Sequence, residues 1–381
     1  MRMFGRKATR RVRAEGKMKN LHIIVGTRPN FIKIAPLVRA IRAVSGMDYK
    51  IIHTGQHYDI EMDKVFFDQL DIPKPNINLE AGSFSDAHQT GLIMLKYEEY
   101  VQKDRPDVIV VLGDVNSTLS CALVGVKNRI FVAHIESGMR SFDKRMPEEI
   151  NRICVDVVSN ILFTSTETAG KNLIKEGLPK DKIFLVGHNM IDTLKMYEGL
   201  IDQRRILDVL GVRKNSYAVA TIHRQSNVDN AENLRKVLEI FKFIQEEIPI
   251  VFPAHPRTQK RFKEFGLDAK HLKNLHFIKP LGYLDFQKLL SDCKFILTDS
   301  GGVQPEAVYL KKPCITLREN TEWVESIRSG LNHLTGLNCK NVRKVFKNIM
   351  AGDVKRVWYP KIWDGKTSER IVRILKDKVS L

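Results

Sequence analysis

Short runs of β-branched and aliphatic residues recur almost from end to end of the chain, and between them lie segments with apolar residues at helical spacing. Strands that read as continuous apolar runs are buried on both faces, so this alternation predicts parallel sheets covered by helices on either side, an α/β class of doubly wound, Rossmann-like domains. Strands are expected at 21–26, 49–54, 107–112, 130–135, 160–165 and 182–186, and a second set at 216–221, 249–254, 275–279, 294–298 and 313–317. With 381 residues the chain exceeds what one core usually holds, so each set forms its own sheet. MIDTLKMYEGLIDQRRILDVLG, residues 190–211, reads as a helix and connector at the junction, and SERIVRILKDKVSL at the end reads as a helix returning to the first domain. The expected division is 18–190 plus about 364–381 for the first domain and 191–363 for the second.

Apolar residues at 43% and charged residues at 28% describe an ordinary soluble globule. No apolar run reaches the roughly 18 residues a bilayer crossing needs, and no signal-like segment opens the chain. A cytoplasmic protein without membrane insertion is expected. Five scattered cysteines, Cys121, Cys154, Cys293, Cys314 and Cys339, never spaced as CxxC, argue against a disulfide framework or a zinc site. The net charge of +18 is partly local, because residues 1–17 contribute +6. That basic segment, ahead of a second methionine at Met18, reads as a disordered extension. The remaining excess suits a small anionic ligand and does not call for nucleic acid.

Ligands of open α/β sheets sit beyond the carboxyl ends of the strands. There the chain carries Gly26-Thr27-Arg28-Pro29, Gly55-Gln56-His57-Tyr58-Asp59, Gly113-Asp114, Glu136-Ser137-Gly138, Ile222-His223-Arg224, His255-Pro256-Arg257 and Asp299-Ser300-Gly301-Gly302. Ser300, Gly301 and Gly302 precede a helix expected from near Val303, a turn whose backbone N–H groups can close on a diphosphate. An ordinary turn would use the same glycines. Glu306, one turn into that helix, can accept ribose hydroxyls or simply favour the helix dipole. Arg28 and Lys33 aim two cations at the same crevice. Neither GxGxxG nor a Walker sequence is present, so the phosphates belong to a substrate, and no cofactor is expected.

HIESGMRSFDKRMPEEINR, residues 134–152, gathers carboxylates and cations after a strand, a pattern surface helices also show. Asp114, Glu136 and Glu148 together would repel one another and supply both a base and an acid near neutrality. His223 is a strand-end proton carrier or phosphate donor, or a structural histidine. His57, His134, His188 and His255 lack metal-site spacing, so no metal is expected.

The motifs GTRPNFIKIAPL, TGQHYD, GDVNST, HIESGMRS, MPEEINR, ATIHRQSNVDN, FPAHPRT and DSGGVQPEA, in this order from about residue 20 onward, closely resemble the non-hydrolysing UDP-N-acetylglucosamine 2-epimerases. The resemblance implies a GT-B fold with the active site between two domains, a homodimer and closure on a UDP-sugar. It implies that a base removes the C2 proton while UDP leaves C1, giving 2-acetamidoglucal, and that a proton returns to the other face as UDP re-adds. Asp114, Glu136, Glu148 and His223 match the family's catalytic set by position in the motifs. Arg28, Lys33, Ser300, Gly301, Gly302 and Glu306 match its UDP-binding positions, and His255 is grouped with them as substrate-binding.

Four departures bear on the substrate. Asn30 stands where an acidic residue is common, Gln225-Ser226-Asn227 replaces a frequent acidic segment, and QHYDIEM puts allosteric activation by UDP-N-acetylglucosamine in doubt. Trp323 in TEW, where TER is common, is similar to relatives that epimerise UDP-2,3-diacetamido-glucuronic acid, which keeps that substrate open beside UDP-N-acetylglucosamine.

Overall fold

A computed structural model of the chain describes residues 18–55, 70, 72–267, 269 and 272–379. The basic segment 1–17, the QHYDIEM motif and the side chain of Arg28 lie outside the described residues. Two parallel sheets organise the rest. The first contains β1 (Lys19–Val25), β2 (Met47–His53), β3 (Ile77–Asn78), β4 (Val108–Leu112), β5 (Phe131–Ser137), β6 (Ile161–Thr164) and β7 (Ile183–Leu185), in the order β3-β2-β1-β4-β5-β6-β7. The second contains β8 (Ala218–Thr221), β9 (Ile250–Pro253), β10 (Leu275–Ile278), β11 (Phe295–Thr298), β12 (Cys314–Thr316) and β13 (Asn332–Leu334), in the order β10-β9-β8-β11-β12-β13.

In both sheets the winding reverses between two central strands, β1 and β4 in one and β8 and β11 in the other. Such a reversal leaves a crevice at the carboxyl ends of the two strands, because the following loops depart to opposite faces. The strand residues obey the two-residue period: Leu21, Ile23 and Val25 pack with Phe31, Ile34 and Leu37 of the helix Arg28–Arg42, whereas Ile24 faces Ile93, Tyr97 and Cys121. All five residues of β4 are buried, as a central parallel strand requires.

The eleven expected runs are all strands, several trimmed by a residue or two. β3 and β13 are additions, with two and three residues. Neither has enough residues to show a period, and sheet pairing with β2 and β12 makes them strands.

The C-terminal helix Thr367–Val379 buries Ile371, Val372 and Leu375 in the first core. Asp192, in the helix Asn189–Asp202, accepts the Thr367 and Ser368 N–H groups at 3.1 and 2.7 Å and caps it. That core also takes in Tyr283, Leu284, Val308 and Trp323 from the second half of the chain, so the sheets share an apolar joint.

Candidate active site

The β1 turn is closed from within. The Asn30 side-chain oxygen accepts the backbone N–H groups of Gly26 and Thr27 at 3.2 and 3.1 Å and the Thr27 hydroxyl at 3.0 Å. One turn into that helix, Lys33 Nζ donates to Glu136 Oε2 at 2.6 Å. Glu136 has φ of 68°, in the left-handed region, and the β5–β6 register shifts between Ile135 and Ser137. A non-glycine residue there stores strain, which clusters at functional sites. The bulge turns the carboxylate toward Lys33 and toward Gly113, itself at φ 69°. Burial pushes the Glu136 carboxyl up, but the Lys33 ammonium beside it holds it below the usual carboxylate range.

His134 fixes the neighbouring turn: one ring nitrogen meets the Gly113 carbonyl at 2.8 Å and the other meets Asp156 at 2.7 Å. Asp114, which follows, is partly exposed and accepts from Arg152. Arg152 also donates to Glu149 at 2.5 Å, and the Glu149 carboxylate accepts the Ser141 and Phe142 N–H groups at 2.9 Å each. The helix Pro147–Val158 therefore buries Glu149 as the brace of the preceding loop. Its neighbour Glu148 stays half-buried. Helical spacing sets Glu148 on the face that carries Asn151 and Arg152, both bonded to Asp114, Asn151 through the backbone carbonyl at 2.9 Å.

On the second sheet, buried Asp299 accepts the N–H groups of His223 at 3.1 Å and Arg224 at 3.0 Å and the Asn227 amide at 3.1 Å. Its Oδ1 lies 3.4 Å from His223 Nδ1, so one carboxylate orients both backbone and ring of an otherwise exposed histidine. The His255 ring stands 6.4 Å from that of His223, and His255 Nδ1 caps its own helix through Arg257 N at 3.2 Å. In the Ser300-Gly301-Gly302 turn a side chain on Gly301 would collide with Glu322, which Arg318 holds at 2.8 Å and Arg224 approaches at 3.6 Å. Burial pushes Glu322 up, yet Arg318, Arg224 and Arg152 bring it down to about 2. Glu306 is buried and accepts from Gln287 at 2.9 Å; burial raises its carboxyl to about 7, with Gln287 and Lys33 opposing.

These charges link the sheets. Lys33 acts on Glu136 and Glu306, Arg152 on Asp114 and Glu322, and Asn320 lies 3.5 Å from Asp143. Of the expected residues, the structure joins Lys33 to Glu136 with Glu306 within that lysine's electrostatic reach, sets Asp114 against Arg152 of the 147–158 helix that also carries Glu148, and leaves the His223 and His255 rings 6.4 Å apart. Arg152, Asp156, Asp299 and Glu322 were not anticipated. Asp299 was within reach, since it opens a strand-end turn already singled out. No group of three or more His, Cys, Asp or Glu suited to a metal occurs among the described residues.

The sequence profile of the family described as UDP-N-acetylglucosamine 2-epimerase matches residues 39–376. A UDP-N-acetylglucosamine 2-epimerase of Methanocaldococcus jannaschii is 46% identical over 363 residues, covering 93% of this chain and 98% of the relative. A UDP-2,3-diacetamido-2,3-dideoxy-D-glucuronate 2-epimerase of Pseudomonas aeruginosa is 40% identical over 316 residues, covering 82% and 87%. The crystal structure of Methanocaldococcus jannaschii UDP-GlcNAc 2-epimerase in complex with UDP-GlcNAc and UDP superposes with a TM-score of 0.89 at 44% identity, covering 94% of this chain and 99% of that one.

Proposed function

Since the chain belongs to the UDP-N-acetylglucosamine 2-epimerase family, we propose that it interconverts UDP-N-acetylglucosamine and UDP-N-acetylmannosamine by eliminating UDP to 2-acetamidoglucal and adding it back. The hydrogen on C2 is poorly acidic because no carbonyl flanks C2 in the ring. Departure of UDP from C1 has to accompany its removal, and inversion needs proton-handling groups on two faces. Asp114, Glu136 and Glu148, with His223, fill those roles. Arg28, Lys33, His255, the Ser300-Gly301-Gly302 turn and Glu306 hold the nucleotide, and their cations and N–H groups stabilise the departing diphosphate.

The observation that carries this reading is the Lys33–Glu136 pair. A strained strand-end residue presents a buried carboxylate, kept ionised by an ammonium group that also acts on Glu306 of the facing domain. An ionised base is what abstraction from carbon needs, and a well-placed one contributes roughly 10²–10⁴ in rate. No cofactor enters the scheme.

The expected domains are 18–190 with 364–381 and 191–363, in the GT-B arrangement. The enzyme works as a cytoplasmic homodimer. Exposed Ile150 and Val157 on the 147–158 helix offer apolar area to a second copy.

Incubation with UDP-N-acetylglucosamine in D₂O tests the scheme: NMR should show H2 replaced by deuterium as the manno epimer forms. Epimer that keeps its C2 hydrogen, or sugar transferred to an acceptor, would refute it. Trp323 and the Pseudomonas aeruginosa relative favour UDP-2,3-diacetamido-glucuronic acid as the second reading. In parallel reactions the true substrate is the one that exchanges C2 hydrogen.

A further inference from the structure

Among the described residues, the Glu136 carboxylate is hydrogen-bonded at one oxygen. Lys33 takes Oε2, whereas Oε1 is buried and makes no hydrogen bond among the described residues. His188 Nε2 lies 3.9 Å from Oε1 and is likewise buried without a hydrogen bond among the described residues. Two orphaned polar atoms facing each other across less than 4 Å are costly unless they come to share a proton at some stage of the cycle.

The tautomer of His188 follows from its other nitrogen. Nδ1 accepts the Met190 N–H at 3.0 Å, as the cap of the 189–202 helix, so the neutral ring carries its hydrogen on Nε2. The ring is also gripped. Trp323 lies against it with centroids 4.5 Å apart, and Trp363 meets it edge-on at 5.7 Å. Trp363 is anchored through its indole N–H to the Ser165 carbonyl at 2.9 Å. His188 thus holds its protonated Nε2 3.9 Å from the second oxygen of a carboxylate whose backbone is itself strained.

We propose that His188 is a positioning residue for Glu136, donating from Nε2 to Oε1 when the substrate-bound site tightens, so that the carboxylate stays ionised and aimed at the C2 hydrogen. The present separation is longer than a hydrogen bond, and catalytic contacts commonly shorten on substrate binding. The titratable and charged groups around this carboxylate are Lys33 from the 28–42 helix, His188, His134 on β5 with Asp156 behind it, and Glu306 beyond Lys33. Burial brings His188 down to about 4, so the ring remains a neutral donor through the working pH range. Trp323 comes from the second domain, so its approach fixes the ring that serves a carboxylate of the first.

The argument rests on the proton-transfer role given to Glu136, and the variants separate the two claims. In His188→Asn the amide oxygen replaces Nδ1 as the helix cap but no donor reaches Oε1. In His188→Gln the amide nitrogen replaces Nε2 but the cap is lost. With UDP-N-acetylglucosamine as substrate, His188→Asn should keep the melting temperature and KM near wild type, lower kcat, and move the acid limb of its pH profile up by about one unit, the worth of one hydrogen bond to a charged group. His188→Gln should melt earlier while keeping the acid limb in place. An unshifted profile in His188→Asn, or activity falling only in step with stability in both variants, overturns the role of His188. Wild-type turnover in Glu136→Gln would instead remove the proton-transfer reading beneath it.

Discussion

At the scale of single residues, the site is built from carboxylates with different surroundings. Glu136 is strained, buried and beside a lysine, Asp114 is partly exposed beside an arginine, and Glu149, adjacent in sequence to a candidate base, is spent on bracing a loop. Glu136→Gln and Asp114→Asn keep shape and remove charge, so each should lower kcat by about 10²-fold or more while UDP still binds. Steady-state kinetics with calorimetric titration of UDP checks both, and near-wild-type turnover in the pair would take them out of proton transfer. The burial of Glu149 rather than Glu148 was not legible in the sequence. Both stand in one motif, and the phase of a helix decides which turns inward.

At the scale of elements, glycine-bearing or polar strand ends met by helices do most of the positioning. The C-terminal helix packs into the first core and is capped by Asp192, whose carboxylate takes two of its free N–H groups within a buried setting. Asp192→Ala should cost about 0.5–2 kcal/mol, the usual worth of a helix cap. A lowered urea midpoint, with proteolysis beginning at residues 364–381, is the expected result; an unchanged midpoint would show the helix held by its apolar face alone. The helix itself was legible from the spacing of Ile371, Val372 and Leu375, because a 3.6-residue period survives any tertiary context. Its capping partner was not, since Asp192 and Ser368 are 176 residues apart.

At the scale of the whole molecule, buried histidines set an acid limit. His22, His53 and His188 are each brought down from 6.5 to about 4 by burial. Above pH 6.5 neither folded nor unfolded chain protonates them and their contribution is complete. As pH falls from 6.5 toward 4, the unfolded chain binds protons that the folded one refuses, and stability drops. Glu306, raised to about 7 by burial, works the other way between about 4.5 and 7, one group against three. Urea unfolding at pH 7.5, 6 and 4.5 should give falling midpoints, and a constant midpoint over that range would contradict the burial of these rings.

Repeating local pattern determined the class of fold and the helices on both faces of each sheet, and drew attention to the strand ends as the place for a ligand. These follow from residues at spacings of two to four and from the turn chemistry after each run, both carried by neighbouring residues. Ordered motifs likewise indicated the family. Tertiary structure alone decided that Lys33 meets Glu136 across 103 residues, that His188 Nε2 lies 3.9 Å from the same carboxylate, and that Trp323 enters the first core. Such pairings depend on how two sheets and a shared apolar joint bring distant segments together, and no period along the chain encodes that distance.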